Sequence, residues 1–315
     1  MRIAFVWDWP PVLSQVSTWE DGLAAAIKYL GIKHEVQVFM PGDAFNIIHH
    51  PFFDIFVSED LMASVAMYNP DVILMWGDMT RPNAVPLAEL SKPTAICFAG
   101  GEADSYNTPL FDHIFVESKV YKEKLNAAGY NNVSIAFGTN TDLFAPIQQN
   151  KQFDTIFPAT FAAWKRHDLY AHATMGLRSL AVGYIYRDHE QECWEECLKL
   201  GTTILPHVSA QVLHHLYAAS RVCVIPSLSS GGSQRTVLEA MAMNLPLIIT
   251  DSDKYDYAHD SGQVFVAEPT VESIRGHIDA LLDGEHEVNT RDYVLENWSH
   301  ITYAEALEDG LKQII

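Results

Sequence analysis

The sequence predicts an α/β protein of two successive doubly wound, Rossmann-like domains facing a cleft. Three observations predict it. Short apolar runs recur along the chain. Segments with apolar residues at helical spacing separate them. The alternation then pauses at a polar stretch, FAPIQQNKQFD over 144–154, and starts again. Continuous apolar runs suit parallel strands covered on both faces. The repeated strand–helix order suits a parallel sheet.

In the first half the runs fall at 2–7, 35–40, 54–57, 72–76, 94–99, 113–117 and 133–137. Residues 18–30 have helical spacing, and Gly31 reads as the helix stop. The stretch 144–154 reads as a linker that divides a domain at 1–148 from one at 149–315. Beyond it strands are expected at 155–158, 181–185, 203–205, 222–226, 246–250 and 264–266. Helices are expected at 169–179, 189–200, 209–219, 235–243 and 271–282. The tail, 303–314, reads as a last helix that can pack on either domain. A single larger α/β domain is the alternative.

The chain's 315 residues, 48% hydrophobic, suffice for two ordinary cores. Forty acids against 20 bases give a net charge of -20. That disfavours nucleic acid as a partner and a polybasic attachment to membrane. No apolar run reaches the roughly 18 residues of a membrane helix, so no transmembrane segment is expected. The opening MRIAFVWDWPP is broken by Asp8 and two prolines, unlike a signal peptide. The expected location is the cytoplasm. Cys97, Cys193, Cys197 and Cys223 lack metal-ligand spacing and read as reduced thiols. His49-His50, His207 and His214-His215 show no repeated spacing either, and Asp251-Ser252-Asp253 reads as a turn.

Residues 222–251, VCVIPSLSSGGSQRTVLEAMAMNLPLIITD, concentrate the chemistry. An apolar strand runs into a loop opened by Ser227, and two glycines precede a helix that starts within 233–236. Glycines let backbone approach a bound group closely. First-turn amides lack intrahelical acceptors and favour an anion such as a diphosphate. Glu239, one turn in, is then placed to accept hydrogen bonds from paired ribose hydroxyls. The alternative is a tight turn followed by a capping box of Thr236 and Glu239.

This stretch resembles the signature of GT-B glycosyltransferases, specifically the large retaining group 1 family. The matching residues are Pro226-Ser227, Gly231-Gly232, Leu238-Glu239-Ala240-Met241-Ala242, Asn244 and Pro246. Three further segments match in the family's order: 113–118 (HIFVES), 137–146 (FGTNTDLFAP) and 159–167 (ATFAAWKRH). The resemblance covers roughly residues 110–251.

The resemblance implies a retaining transfer of sugar from a nucleoside-diphosphate sugar to an acceptor hydroxyl. The second domain would hold the donor and the first the acceptor. No metal or cofactor is required, because cationic side chains and helix amides stabilise the leaving diphosphate. Lys165 matches the lysine that neutralises the diphosphate, and Glu239 the acid on the ribose. Arg166 and Arg235 are candidates for a second cation. Ser227, Gly232, Ser233, Gln234 and Thr236 fall where the family approaches the donor, and His167 stands beside Lys165. Gly231 and Thr160 occupy the places of the family's first loop acid and its diphosphate arginine, so both are departures. On the acceptor side the candidates are Asp8 and Trp9 after the first strand, Trp76 at the end of another, and Gly101, Glu102 and Asp104 after a third. Loss of the loop acid and arginine leaves a second reading open, a nucleotide- or carbohydrate-binding protein without activity. A sugar-nucleotide epimerase or a phosphorylase would share the fold.

Overall fold

Parallel strands form where the apolar runs are continuous, and they assort into two separate sheets. A computed structural model describes residues 1–7, 22–50, 52–77, 84–98, 110–187, 190–228, 234–250, 253–284 and 286–315. The chain divides into two units, Met1–Gly138 with Ser299–Ile315, and Thr139–Trp298. The division falls ahead of the polar stretch at 144–154.

The first unit contains β1 (Arg2–Trp7), α1 (Gly22–Lys33), β2 (Glu35–Pro41), β3 (Asn46–His49), β4 (Asp54–Ser58) and α2 (Leu61–Tyr68). It continues with β5 (Val72–Gly77), α3 (Ala84–Glu89), β6 (Thr94–Phe98), β7 (His113–Val116), α4 (Lys119–Ala127) and β8 (Val133–Ile135). Its strands lie in the order β3-β4-β2-β1-β5-β6-β7-β8. All pairings are parallel except that of β3, which returns antiparallel along β4. One face packs Leu23, Ile27 and Leu30 of α1 over Phe5, Val38 and Leu74. The other packs Leu61, Leu87, Tyr121 and Leu125 over Val6, Ile73 and Ile96. Gly31 does not stop α1, which runs on to Lys33, and His34 N still donates to Leu30 O at 2.9 Å. Solvent surrounds this last turn, so glycine costs only its propensity there.

The second unit contains β9 (Phe153–Pro158), a tight helical turn (Ala163–Lys165), α5 (His167–Ala173), β10 (Ser179–Val182), α6 (Gln191–Lys199) and β11 (Thr203–Leu205). Then come α7 (Ala210–Ala218), β12 (Ser220–Ile225), α8 (Arg235–Ala242), β13 (Leu247–Thr250), α9 (Asp256–His259), β14 (Phe265–Ala267), α10 (Val271–Asp283) and α11 (Thr290–Asn297). The six strands are parallel, in the order β11-β10-β9-β12-β13-β14. The helix expected over 169–179 ends early because Gly176, at φ 83°, turns the chain in the left-handed region. β10 accordingly starts at Ser179.

The terminal helix α12 (His300–Lys312) belongs to the first unit and lies along α1. Tyr303, Leu307 and Leu311 are buried there. Each such side chain contributes about 1.5–3 kcal/mol, so apolar burial outweighs surface ion pairs of about 0–1 kcal/mol in docking the helix. Gly310 permits the close approach, since a Cβ there would run into the Phe115 ring of β7. Glu308 fixes the register. Its carboxylate takes Lys33 at 3.2 Å, His34 at 3.1 Å and Lys312 at 2.6 Å. Its hydrogen bonds from Lys312, Lys33 and His34 outweigh its desolvation and hold its pKa down to about 2.

A carboxylate with a depressed folded pKa stabilises fully above its unfolded pKa of about 4.3 and loses that contribution as pH falls through the folded value. Glu308→Gln is expected to lower the thermal midpoint at neutral pH. The difference from the parent should shrink as pH falls from about 4.3 to about 2, measured by thermal melts across that range.

Candidate functional site

The second sheet has one point where its strand order reverses. The chain steps from β9 outward to β10 and β11, then returns to place β12 on the other side of β9. Ligands of open parallel sheets bind beyond the carboxyl ends at such a point. Two loops leave there, one after β9 and one after β12. They are joined by a backbone hydrogen bond from Leu228 N to Trp164 O of 2.8 Å.

The loop after β9 carries Thr160, half-exposed, and then the helical turn that ends in Lys165. Ala163 N, which opens that turn, donates to Glu190 Oε1 at 2.9 Å. Gly183, at the end of β10, lets this loop pass closely, because a Cβ there would strike the Ala159 carbonyl. Lys165 is half-buried on the turn. Arg166 follows at φ 58° and ψ 48°, a left-handed residue that ends the turn and starts α5. Its guanidinium forks onto Asp168, with Nε to Oδ1 at 3.1 Å and Nη2 to Oδ2 at 3.1 Å. His167 points the other way, into the core. It is 1% exposed and stacks on Phe161 with ring centroids 3.8 Å apart. Burial drives its pKa down to about 3, against the pull of the Ala159 carbonyl. The imidazole is therefore a neutral packing group beneath the loop.

The loop after β12 begins with Ser227, which is buried and whose carbonyl accepts from Thr250 Oγ1 at 2.9 Å. α8 starts at Arg235 with Gln234 as its N-cap. Thr236 therefore lies inside the first turn, and the capping box of Thr236 and Glu239 does not form. Gln234 does not cap the helix with its side chain either. Its Nε2 donates to Tyr255 Oη at 2.5 Å, and its backbone is clasped by Tyr257, whose Oη donates to Gln234 O at 3.1 Å. The start of α8 is thus held from outside, by two buried phenols. Arg235 and Thr236, half-buried, form its first turn.

Glu239 is 5% exposed. Tyr217, on α7, donates its hydroxyl to Glu239 Oε2 at 2.9 Å. Burial first, and the Glu239 charge second, push the Tyr217 phenol well above its ordinary value. The proton therefore stays on Tyr217 and points at the carboxylate. Phe144 packs edge-on against the same ring at 5.9 Å. Neither Tyr217 nor the two phenols on Gln234 is singled out by the sequence. Tyr217 sits at helical spacing among apolar residues and reads as core, and only its hydroxyl separates it from a phenylalanine.

In the first unit, Trp76, next to last in β5, pairs in register with Trp7 of β1. The two indoles stack with centroids 3.9 Å apart and planes 6° from parallel. β1 and β5 flank the order reversal of that sheet. Asp8, Trp9, Gly101, Glu102 and Asp104 lie outside the described residues, as do Gly231, Gly232 and Ser233. Among the described residues no group of three His, Cys, Asp or Glu could hold a metal ion, and no helix is long and apolar enough to cross a membrane.

The structure is similar to several solved ones. Sucrose-phosphate synthase from Thermosynechococcus elongatus aligns at a TM-score of 0.73 and 14% identity, over 99% of this chain and 98% of that one. The fold is GT-B. A glycosyltransferase from Rickettsia africae gives 0.73 and 16% identity over 99% and 98% of the two chains. Anabaena HepE, solved in complex with UDP-glucose, gives 0.74 and 13% over 99% and 100%. Residues 152–284 match the family described as "Glycosyl transferases group 1". No curated protein matches the sequence. In GT-B terms the reversal between β9 and β12 belongs to the second Rossmann-like domain, and the family match spans it.

Tyr217→Phe removes the buried hydroxyl that donates to Glu239 Oε2. It is expected to cost about 1–3 kcal/mol, read as a lower urea midpoint with an unchanged slope. His167→Phe tests the neutral imidazole. A histidine with a lowered folded pKa stabilises above its unfolded value of about 6.5 and loses that contribution as pH falls. The variant should therefore lose less stability than the parent between about pH 7.5 and pH 5, measured by urea unfolding at each pH.

Proposed function

We propose that the protein is a retaining glycosyltransferase that moves a sugar from a nucleoside-diphosphate sugar to an acceptor hydroxyl without a metal ion. The observation that carries the reading is the arrangement around β9 and β12. Lys165 leaves one flanking strand on a short, braced turn, and Glu239 leaves the other on α8 with one carboxylate oxygen already held by Tyr217. Glu239 accepts from the ribose hydroxyls with its remaining lone pairs. Lys165 and the amides at the start of α8 neutralise the charge that develops on the diphosphate. Ser227, Gly231, Gly232, Ser233, Gln234, Arg235 and Thr236 form the donor wall, with Thr160 across from it. In this reading the second unit, Thr139–Trp298, is the donor domain and the first unit the acceptor domain. Asp8, Trp9, Trp76, Gly101, Glu102 and Asp104 face the acceptor. The leaving phosphate takes the proton of the attacking hydroxyl on the same face, and exclusion of water protects the donor. The match to the group 1 family over 152–284 supports this assignment.

A second reading has its own support. Arg166 commits its fork to Asp168, and threonine stands at 160 where the family has arginine. A site short of cations would bind nucleotide yet turn over poorly. That describes an inactive nucleotide-binding relative.

Calorimetric titration with UDP, GDP, ADP and CMP, then with the matching sugar nucleotides, tests the proposal. Saturable binding to one base is expected. Glu239→Gln should weaken it about tenfold or more. Lys165→Ala should lower kcat about a hundredfold or more while the protein stays folded. Unchanged affinity and turnover in both variants would overturn the site. Nucleotide binding without turnover across a panel of acceptors would establish the second reading.

A further inference from the structure

A cavity opens at the amino end of the second sheet, opposite the loops that follow β9 and β12. Its volume is about 250 Å³, a little below the usual range for ligand pockets. Ile147, Met243, Leu245 and Leu281 give it an apolar wall, and Lys151, Arg221 and His286 line it as well. Tyr217 forms part of the lining, so the cavity lies one side chain behind Glu239.

The charges there do not cancel. Lys151 Nζ donates to Ala218 O at 2.9 Å and Ser220 O at 2.7 Å, at the end of α7. Arg221 Nη2 donates to Leu282 O at 2.6 Å, at the end of α10. Each cation thus caps a helix carboxyl end, which carries about half a negative charge. Two unit charges against two halves leave about one positive charge. Neither cation makes an ion pair with a carboxylate among the described residues, and Asp154, whose charge reaches Arg221, is itself held by Arg178 at 2.6 Å. The nearby acids Asp283 and Glu287 are exposed. Lys151 is also partly desolvated and faces the charge of Arg221, and both lower its pKa. The chain has twice as many acids as bases, so two cations lining one cavity mark a place for an anion.

We infer that this cavity binds a small organic anion, a phosphate or carboxylate head on a short apolar body, between Lys151 and Arg221. The head takes the remaining N–H donors of the two cations. The body lies against Met243, Leu245 and Leu281. The inference stands apart from the donor site and does not need it.

Phenyl phosphate and benzoate are the probes, with benzyl alcohol as the neutral control. Binding is followed by backbone amide NMR of the full chain. One of the two anions is expected to saturate in the millimolar range and to move Ala218, Arg221, Asn244 and Leu245. Residues around Lys165, Leu228 and Gln234 should stay put. Which anion binds identifies the head group. Arg221→Met should weaken binding about tenfold, and Lys151→Arg, which keeps the charge and the cap, should retain it. Failure of both anions to saturate, equal binding of benzyl alcohol, or shifts confined to the Lys165 side would each overturn the inference. The wild-type shift pattern decides between these outcomes even if Arg221→Met does not fold.

Discussion

A carboxylate inside a protein has to be solvated by the protein itself, and Glu239 sets that requirement for the second domain. An ionised acid without partners in a low-dielectric setting costs several kcal/mol. Tyr217 meets part of the need with a single hydroxyl at 2.9 Å. To do so, α7 must present Tyr217 toward α8, and β12 must lie between them in the chain at a length that brings the two rows together. Phe144 closes over the same ring. The start of α8 is then fixed separately, through Gln234 and the phenols of Tyr255 and Tyr257. Both ends of the helix that carries the acid are held by side chains from other elements, which is how a functional group is kept within a fraction of an ångström of its working position.

The strands were legible because a parallel sheet buried on both faces demands unbroken apolar runs, and little else in a soluble chain does. β3 was not, since an edge strand such as Asn46–His49 keeps polar residues and follows no such demand. Helix ends were read least well. Gly31 has the residue type of a stop, yet nothing downstream required one. Thr236 and Glu239 have the spacing of a capping box, but α8 starts at Arg235, which puts Thr236 inside the first turn rather than at the cap. The acid accepts from Tyr217 instead. In the site itself, Lys165 and Glu239 were visible as motif residues. Their supports were hidden because a phenol that packs and a phenol that donates look identical in sequence. His167 shows the reverse error: a polar residue in a basic cluster points by sequence at a ligand, whereas its neighbours Phe157 and Phe161 form a stack that takes it into the core.

The turn after β9 ties up one of its two cations. Arg166 brings a guanidinium there on the left-handed backbone that a glycine commonly supplies. That guanidinium is held by Asp168 two residues on. A bidentate pair half-exposed at the surface is only weakly stabilising in itself, so the pair contributes little to holding the turn.

The two ends of the second sheet differ for one reason. With all six strands parallel, helices that return antiparallel to them point their amino ends toward the strands' carboxyl ends and their carboxyl ends toward the opposite edge. The dipole terms add at both places. At one end they favour an anion beyond β9 and β12, where Lys165 and the start of α8 stand. At the other they draw cations onto free carbonyls, and Lys151, Arg221 and Arg291 are found there, each on the last turn of a different helix or just past it. A chain with a net charge of -20 has few bases to place. Setting three of them on helix carboxyl ends is a direct product of the parallel topology, and the cavity that Lys151 and Arg221 line takes a sign of charge opposite to that of the protein as a whole.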